Sequence, residues 1–174
     1  LALAAEGAVW SWGEGCYGQL GHGDQQQQLL PTKLEALADQ RVVTVSAGWG
    51  HSLALTADGS VWGWGDGDYG QLGHGDQQNQ LLPKKIDALA AQRVVAVAAA
   101  VEHNLTLTAD GAVWSWGGGS FGQLGHGDQQ GQLLPKNHSF AITADGSVWG
   151  WGDGDYGKLG HGDHRGVGSP ARRR

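Results

Sequence analysis

Methionine is missing from all 174 residues, position 1 included, and cysteine occurs once, at Cys16. A chain with no initiating methionine, whose Leu1 falls inside what proves to be a repeated strand, reads as a piece of something longer. One cysteine leaves no internal disulfide framework and fits a reducing, intracellular setting, cytoplasmic or nuclear. No apolar run approaches the roughly 18 residues that a membrane-spanning helix needs, and Leu1-Ala2-Leu3-Ala4 has neither the length nor the basic flank of a signal peptide. Charge is scarce at 16% of residues, and positive charge scarcer: 11 Lys and Arg against 17 Asp and Glu leave a net charge of −6. That balance argues against direct nucleic-acid binding by this segment.

Glycine and tryptophan are in excess, at 32 and 9 residues. So much glycine weakens helices and points to many turns and closely approaching strands, while 40% hydrophobic residues supply a core. The tryptophans are periodic. Val9-Trp10-Ser11-Trp12-Gly13 returns at Val113, and with glycine for the serine at Val61 and Val148, and the first tryptophan of each copy follows the previous one by 52, 52 and 35 residues. Each copy continues into an aromatic-glycine pair and then Leu-Gly-His-Gly-Asp, at 17–24, 69–76, 121–128 and 156–163.

Within one unit the local signals are those of strands. Arg41–Ser46 and Arg93–Ala98 are β-branched and apolar. His51–Thr56 alternates, with Leu53 and Leu55 on one face and Ser52 and Ala54 on the other. Asp58-Gly59 supplies a hairpin turn, and the period of two in Val61–Gly65 puts Trp62 and Trp64 on one face. Leu81–Ile86 makes a fourth strand that Pro83 marks as an edge. Between Lys84 and Gln92, Ile86, Leu89 and Ala90 have helical spacing, which leaves one helical turn open. Four antiparallel strands per repeating unit describe a β-propeller blade, so the fold class is all-β, a partial propeller of about three to four blades.

The short third spacing locates a gap. Pro31 precedes His51 by 20 residues and Pro83 precedes His103 by 20, but Pro135 precedes His138 by only 3. The 17-residue deficit removes the counterpart of the Arg41 and Arg93 strands and the segment leading into each. Either a gene reading has dropped it or one blade is truncated. Two blades, near 41–86 and 93–136, are expected to be complete.

Gly48-Trp49-Gly50-His51-Ser52-Leu53-Ala54-Leu55, Asp58-Gly59, Val61-Trp62-Gly63-Trp64-Gly65 and Tyr69-Gly70-Gln71-Leu72-Gly73-His74-Gly75-Asp76 together resemble the regulator-of-chromosome-condensation repeat. The resemblance covers residues 1–163 and leaves 164–174 as a short basic tail ending in Arg172-Arg173-Arg174. It implies a seven-bladed propeller, of which this chain supplies less than half. The family's founding member is an exchange factor for the small GTPase Ran and docks on nucleosomes; similar propellers serve as recognition modules in HECT-type ubiquitin ligases, kinases and ciliary proteins. A plant relative senses ultraviolet-B light and a bacterial one inhibits β-lactamase. Fold therefore implies a scaffold, and function must come from the site.

Several motifs compete for a chemical role. Gly13-Glu14-Gly15-Cys16-Tyr17-Gly18 and its copies fit the glycine spacing of a nucleotide-binding loop, but a turn sequence follows where a helix is required. His22, His74, His126 and His161, and separately His51, His103 and His138, recur once per unit, a blade apart, and are expected to satisfy buried backbone carbonyls rather than converge on a metal. Trp12, Trp64, Trp116 and Trp151 read as packing between blades, with Gly73 and Gly125 as structural turn positions. The light-sensing motif of the plant relative, Gly-Trp-Arg-His-Thr, meets Gly48-Trp49-Gly50-His51-Ser52 here, without the arginine. Asn104-Leu105-Thr106 and Asn137-His138-Ser139 match glycosylation triplets but fall on strands.

Charge gives the positive hint. Glu14, Asp24, Asp66, Asp68, Asp76, Asp128, Asp153, Asp155 and Asp163 share one loop type, with Lys158 as its only base, and equivalent loops of successive blades fall on one face. Turn-holding explains at least half of these aspartates. The rest form an acidic rim for a basic protein surface, with Asp66, Asp68, Asp76, Asp153 and Asp155 as the partner-binding candidates. The expected function is thus a protein-binding scaffold with no catalytic, cofactor or metal residues, part of a larger protein such as a HECT-type ubiquitin ligase. The alternative is an exchange factor for a Ran-like GTPase, which in the founding member depends on an inserted β-wedge; no insertion lengthens the spacings here. An incomplete ring also leaves strand edges free, so self-association is expected.

Overall fold

Asp58 and Gly59 show how the sequence writes a blade. Asp58 Oδ1 accepts from the Ser60 amide at 3.1 Å and from Thr56 Oγ1 at 2.5 Å, and Gly59 takes φ +87°, where a side chain would be strained. The chain reverses there, and the apolar strands on either side pair. The computed structural model describes residues 1–138 and the backbone of two further strands, 149–152 and 167–172.

In chain order the strands are β1 Ala2–Leu3, β2 Val9–Gly13, β3 Gln28–Lys33, β4 Val42–Ala47, β5 His51–Thr56, β6 Val61–Gly65, β7 Gln80–Lys85, β8 Val94–Ala99, β9 His103–Thr108, β10 Val113–Gly117, β11 Gln132–His138, β12 Trp149–Gly152 and β13 Val167–Arg172. All pairings are antiparallel between neighbours in sequence: β1-β2-β3, β4-β5-β6-β7, β8-β9-β10-β11 and β12-β13. The two four-stranded sheets are the two complete blades that the spacing predicts. The His51–Thr56 and Val61–Gly65 strands have the bounds read from sequence, and Pro83 lies in β7, at a sheet edge. The open question between Lys84 and Gln92 resolves to a single 3₁₀ turn, Asp87–Leu89, whose Leu89 is buried.

The core lies between blades. Val9, Leu34, Leu37, Val42, Ala54 and Trp64 fill the first junction; Leu53, Leu55, Val61, Ile86, Leu89, Val94 and Trp116 fill the second. Each junction therefore draws on the second and third strands of one blade and the first strand or tryptophan of the next. Trp62 and Trp114 pack beside these clusters, as same-face partners of Trp64 and Trp116.

The tryptophan expectation needs one correction. Trp64 and Trp116 are fully buried, but Trp12 is 42% exposed. Burial at this position comes from the loop of the preceding blade, and no described residue stands before the first sheet to provide it. Trp151 lies in β12, and its side chain is outside the described residues.

Candidate functional site

The third and fourth strands of each blade are joined by a long glycine-rich loop, 14–27, 66–79 and 118–131. These loops share one end of the blades with the short turns between first and second strands. The Asp66 amide donates to Gly50 O, and the Gly118 amide to Glu102 O, each at 2.8 Å. Tyr17, from the first loop, reaches the next blade's turn and meets Trp49 with ring centroids 5.6 Å apart.

The loops are braced internally. Tyr17 N donates to Gln19 Oε1 and Tyr69 N to Gln71 Oε1, both at 2.9 Å. The repeated histidines grip the third strand: His22 Nε2 lies 2.8 Å from Ser11 Oγ, and His126 Nε2 2.9 Å from Ser115 Oγ. In the second blade, glycine replaces that serine, and His74 Nε2 lies 3.4 Å from Gly63 O. Burial lowers the pKa of His74, helped by the charge of Lys84.

His51 serves a side-chain amide oxygen rather than the backbone carbonyl expected of it. Its Nε2 donates to Asn104 Oδ1 of the following blade at 2.7 Å, and Asn104 Nδ2 in turn donates to Gln71 O at 2.6 Å. Burial pushes the His51 pKa down, only partly offset by the Asn104 bond. Asn104 is fully buried, which removes it as a glycan acceptor. His103 is half-buried with its pKa lowered by burial and by His51, and the His138 side chain lies outside the described residues. Among the described residues no three His, Cys, Asp or Glu side chains gather as metal ligands.

The acidic candidates separate into two kinds. Asp24, Asp76 and Asp128 hold turns, each Oδ1 accepting the amide two residues on at 3.0–3.1 Å. Asp66 is 4% exposed, and its Oδ1 accepts from the Asp68 amide at 3.0 Å, so it braces the loop and is no rim charge. Sequence spacing placed it in the loop but carried no sign that the Gly50 turn would cover it. Asp68 and Glu14 are exposed. Asp153 and Asp155 lie outside the described residues.

What sequence reasoning missed is aromatic. Trp49 is 67% exposed, Phe121 62% and Tyr69 50%, all on this loop end. In sequence the aromatic-glycine pair reads as a repeat marker, yet its ring points to solvent in the second and third copies. Tyr17 has its pKa raised by desolvation and by the negative field of Cys16, Asp66, Glu14 and Asp68, so acid and aromatic groups share the same patch. Between the first two blades, Trp12, Glu14, Trp49, His51 and Ser52 line a cleft of about 220 Å³. Exposed aromatic rings are a residue class enriched at protein interfaces, and here they stand beside exposed carboxylates.

The regulator of chromosome condensation (RCC1) repeat is recognised over residues 6–55, 58–107 and 110–142. The chain belongs to the RCC1 repeat family. Among curated proteins it is 46% identical over 137 residues to the human E3 ubiquitin-protein ligase HERC2, covering 78% of this chain and 3% of that protein. It is 40% identical over 135 residues to the Arabidopsis thaliana ultraviolet-B receptor UVR8, covering 78% of this chain and 31% of the receptor. Human WBSCR16 superposes with a TM-score of 0.88 at 27% identity, over 99% of this chain and 50% of that one. Yeast RCC1 (Prp20), solved bound to Kap60, superposes with a TM-score of 0.83 at 24% identity, over 99% and 46%, a likeness of fold alone. RCC1-repeat chains thus confirm the partial propeller, and this chain spans about half of the solved ones.

Proposed function

We propose that this chain is a protein-binding propeller scaffold whose loop end receives a basic protein surface. The observation that carries the reading is the exposed set Trp49, Tyr69 and Phe121 interleaved with Glu14 and Asp68 on one end of successive blades. Rings supply contact area with few rotors to freeze, and the carboxylates steer a cation-rich partner. Asp76, half-buried and turn-holding, contributes field rather than contact. Asp153 and Asp155, counterparts of Asp66 and Asp68 in the fourth repeat, extend the proposal from sequence alone.

The setting we propose is intracellular, cytoplasmic or nuclear, with residues 1–163 as repeats and 164–174 as a basic end segment whose Val167–Arg172 strand pairs with β12. The identity to HERC2 supports a recognition module within a larger ligase of the HECT type. Self-association belongs to the same proposal, since the exposed Trp12 and the first sheet offer a blade-type face.

A labelled peptide alternating Lys or Arg with Leu tests the site. Binding is expected to weaken as salt rises from about 50 to 300 mM. Trp49→Ala should speed dissociation, and Asp68→Lys should slow association, both with unchanged thermal midpoints. Affinity indifferent to salt and to both substitutions would remove the loop end as the site.

A further inference from the structure

The second and third blades share sequence register but differ on one face of one strand. In β5 all six residues are buried, Leu53 at 0% and Leu55 at 2%. In β9 only alternate residues are: Asn104, Thr106 and Thr108 stay buried, while His103 and Leu105 are half-exposed and Leu107 is 40% exposed. Period two assigns the loss to one face. It is the face that in β5 lies against the next blade's first strand, β8, whose Val94 shares a cluster with Leu53, Leu55 and Leu89.

The adjoining turns agree. A Cβ on Gly59 would meet Val94 N at 3.3 Å and Arg93 Cα at 3.5 Å, and one on Gly7 would meet Val42 O at 3.2 Å. Gly111 has the same left-handed φ, +88° against +87°, and among the described residues nothing lies within 4 Å of its Cβ position. The groove beside β9 is therefore the negative of a strand of the β8 type, opened by the 17 residues that the spacing lacks between Pro135 and His138.

We propose that this groove binds an extended strand supplied in trans, of the Arg-Val-Val-x-Val-x-Ala kind. In β8 the inward side chains are Val94, Val97 and Ala99, which meet the core cluster of the blade before. A strand with small β-branched groups at those positions restores the contacts that Leu105 and Leu107 lack, as β8 supplies them to Leu53 and Leu55. The occupant is a peptide segment of stated pattern, held by apolar side-chain packing across blades. The site is distinct from the loop end and stands or falls independently of it.

A fluorescent peptide with the sequence of residues 87–100 serves as probe, titrated with the full chain. Saturable binding is expected, weakened about tenfold or more when the peptide carries aspartate at the Val94 and Val97 positions, because a carboxylate cannot be desolvated in an apolar groove. Leu107→Asp in the chain should weaken binding similarly. Since Leu107 is already exposed, that variant should keep its circular dichroism and melting midpoint. Equal binding of the native and aspartate peptides, or full affinity in L107D, would overturn the proposal. So would dimers of the chain that the peptide neither binds nor dissociates, which would give the groove to a second copy.

Discussion

The indole Nε1 of Trp64 donates to the backbone carbonyl of Gln19 at 2.9 Å, across the junction between two blades. Trp116 repeats the bond to Gln71 O at 2.9 Å. The same carbonyls take a second donor from the following blade, Ser52 Oγ at 2.9 Å and Asn104 Nδ2 at 2.6 Å. Each junction is thus locked by one oxygen with two donors inside an apolar seam.

Truncating Trp64 to alanine should cost about 3–5 kcal/mol, the range for a fully buried large aromatic. Trp12→Ala, at a half-open counterpart, should stay within about 1 kcal/mol. Chemical denaturation of the two variants side by side checks this; equal losses would mean that Trp12 is covered in solution.

Gly73 tests the close approach itself. Its φ is +73°, and a Cβ there would stand 2.9 Å from Trp116 Nε1. Gly73→Ala should destabilise by about 3 kcal/mol, combining strain and overpacking. Gly111→Ala, with a similar φ and no described residue within 4 Å, should lose only about 1 kcal/mol from strain. Similar melting shifts for both would show that the tryptophan gives way freely.

Acid should loosen the junctions. His51, His74, His103 and His126 all have folded pKa values lowered by burial. The unfolded chain then binds more protons below the ordinary histidine value near 6.5, so stability falls as pH drops through that value and levels off below the folded pKa values. Denaturation midpoints at pH 7.5, 6.5 and 5.5 measure the slope. Substituting His51 by glutamine, which retains a donor for Asn104, should flatten it in part.

The exchange-factor reading makes a separate forecast. Labelled nucleotide should leave a Ran-like GTPase no faster with this chain than without it, because no insertion lengthens the blade spacing. Release that accelerates with chain concentration would overturn the scaffold assignment.

Strand identity was readable in the sequence because each strand writes its own period. His51–Thr56 alternates, Val61–Gly65 carries paired tryptophans, and Asp58-Gly59 fixes the turn between them. The two complete blades followed from spacing alone. What could not be read was burial set by a neighbour. Trp12 and Trp64 hold the same place in nearly identical local sequences, yet only Trp64 has a described preceding loop over it. Asp66 and Asp68 share a loop two residues apart, yet the Gly50 turn covers only the first. The exposure of the Trp49, Tyr69 and Phe121 rings is likewise set by what the neighbouring blade leaves uncovered. A hint existed in the Tyr-to-Phe exchange at 69 and 121, which leaves the ring and drops the hydroxyl.

The acceptor at each junction is a main-chain carbonyl, an atom that every amino acid carries. A blade thus recognises its predecessor by the path of the backbone and only lightly by the identity of the residue there. The fourth repeat has Lys158 where the others have Gln19, Gln71 and Gln123. Blades built this way are interchangeable parts: loop side chains are free to diverge toward new partners while the coupling between neighbours stays the same.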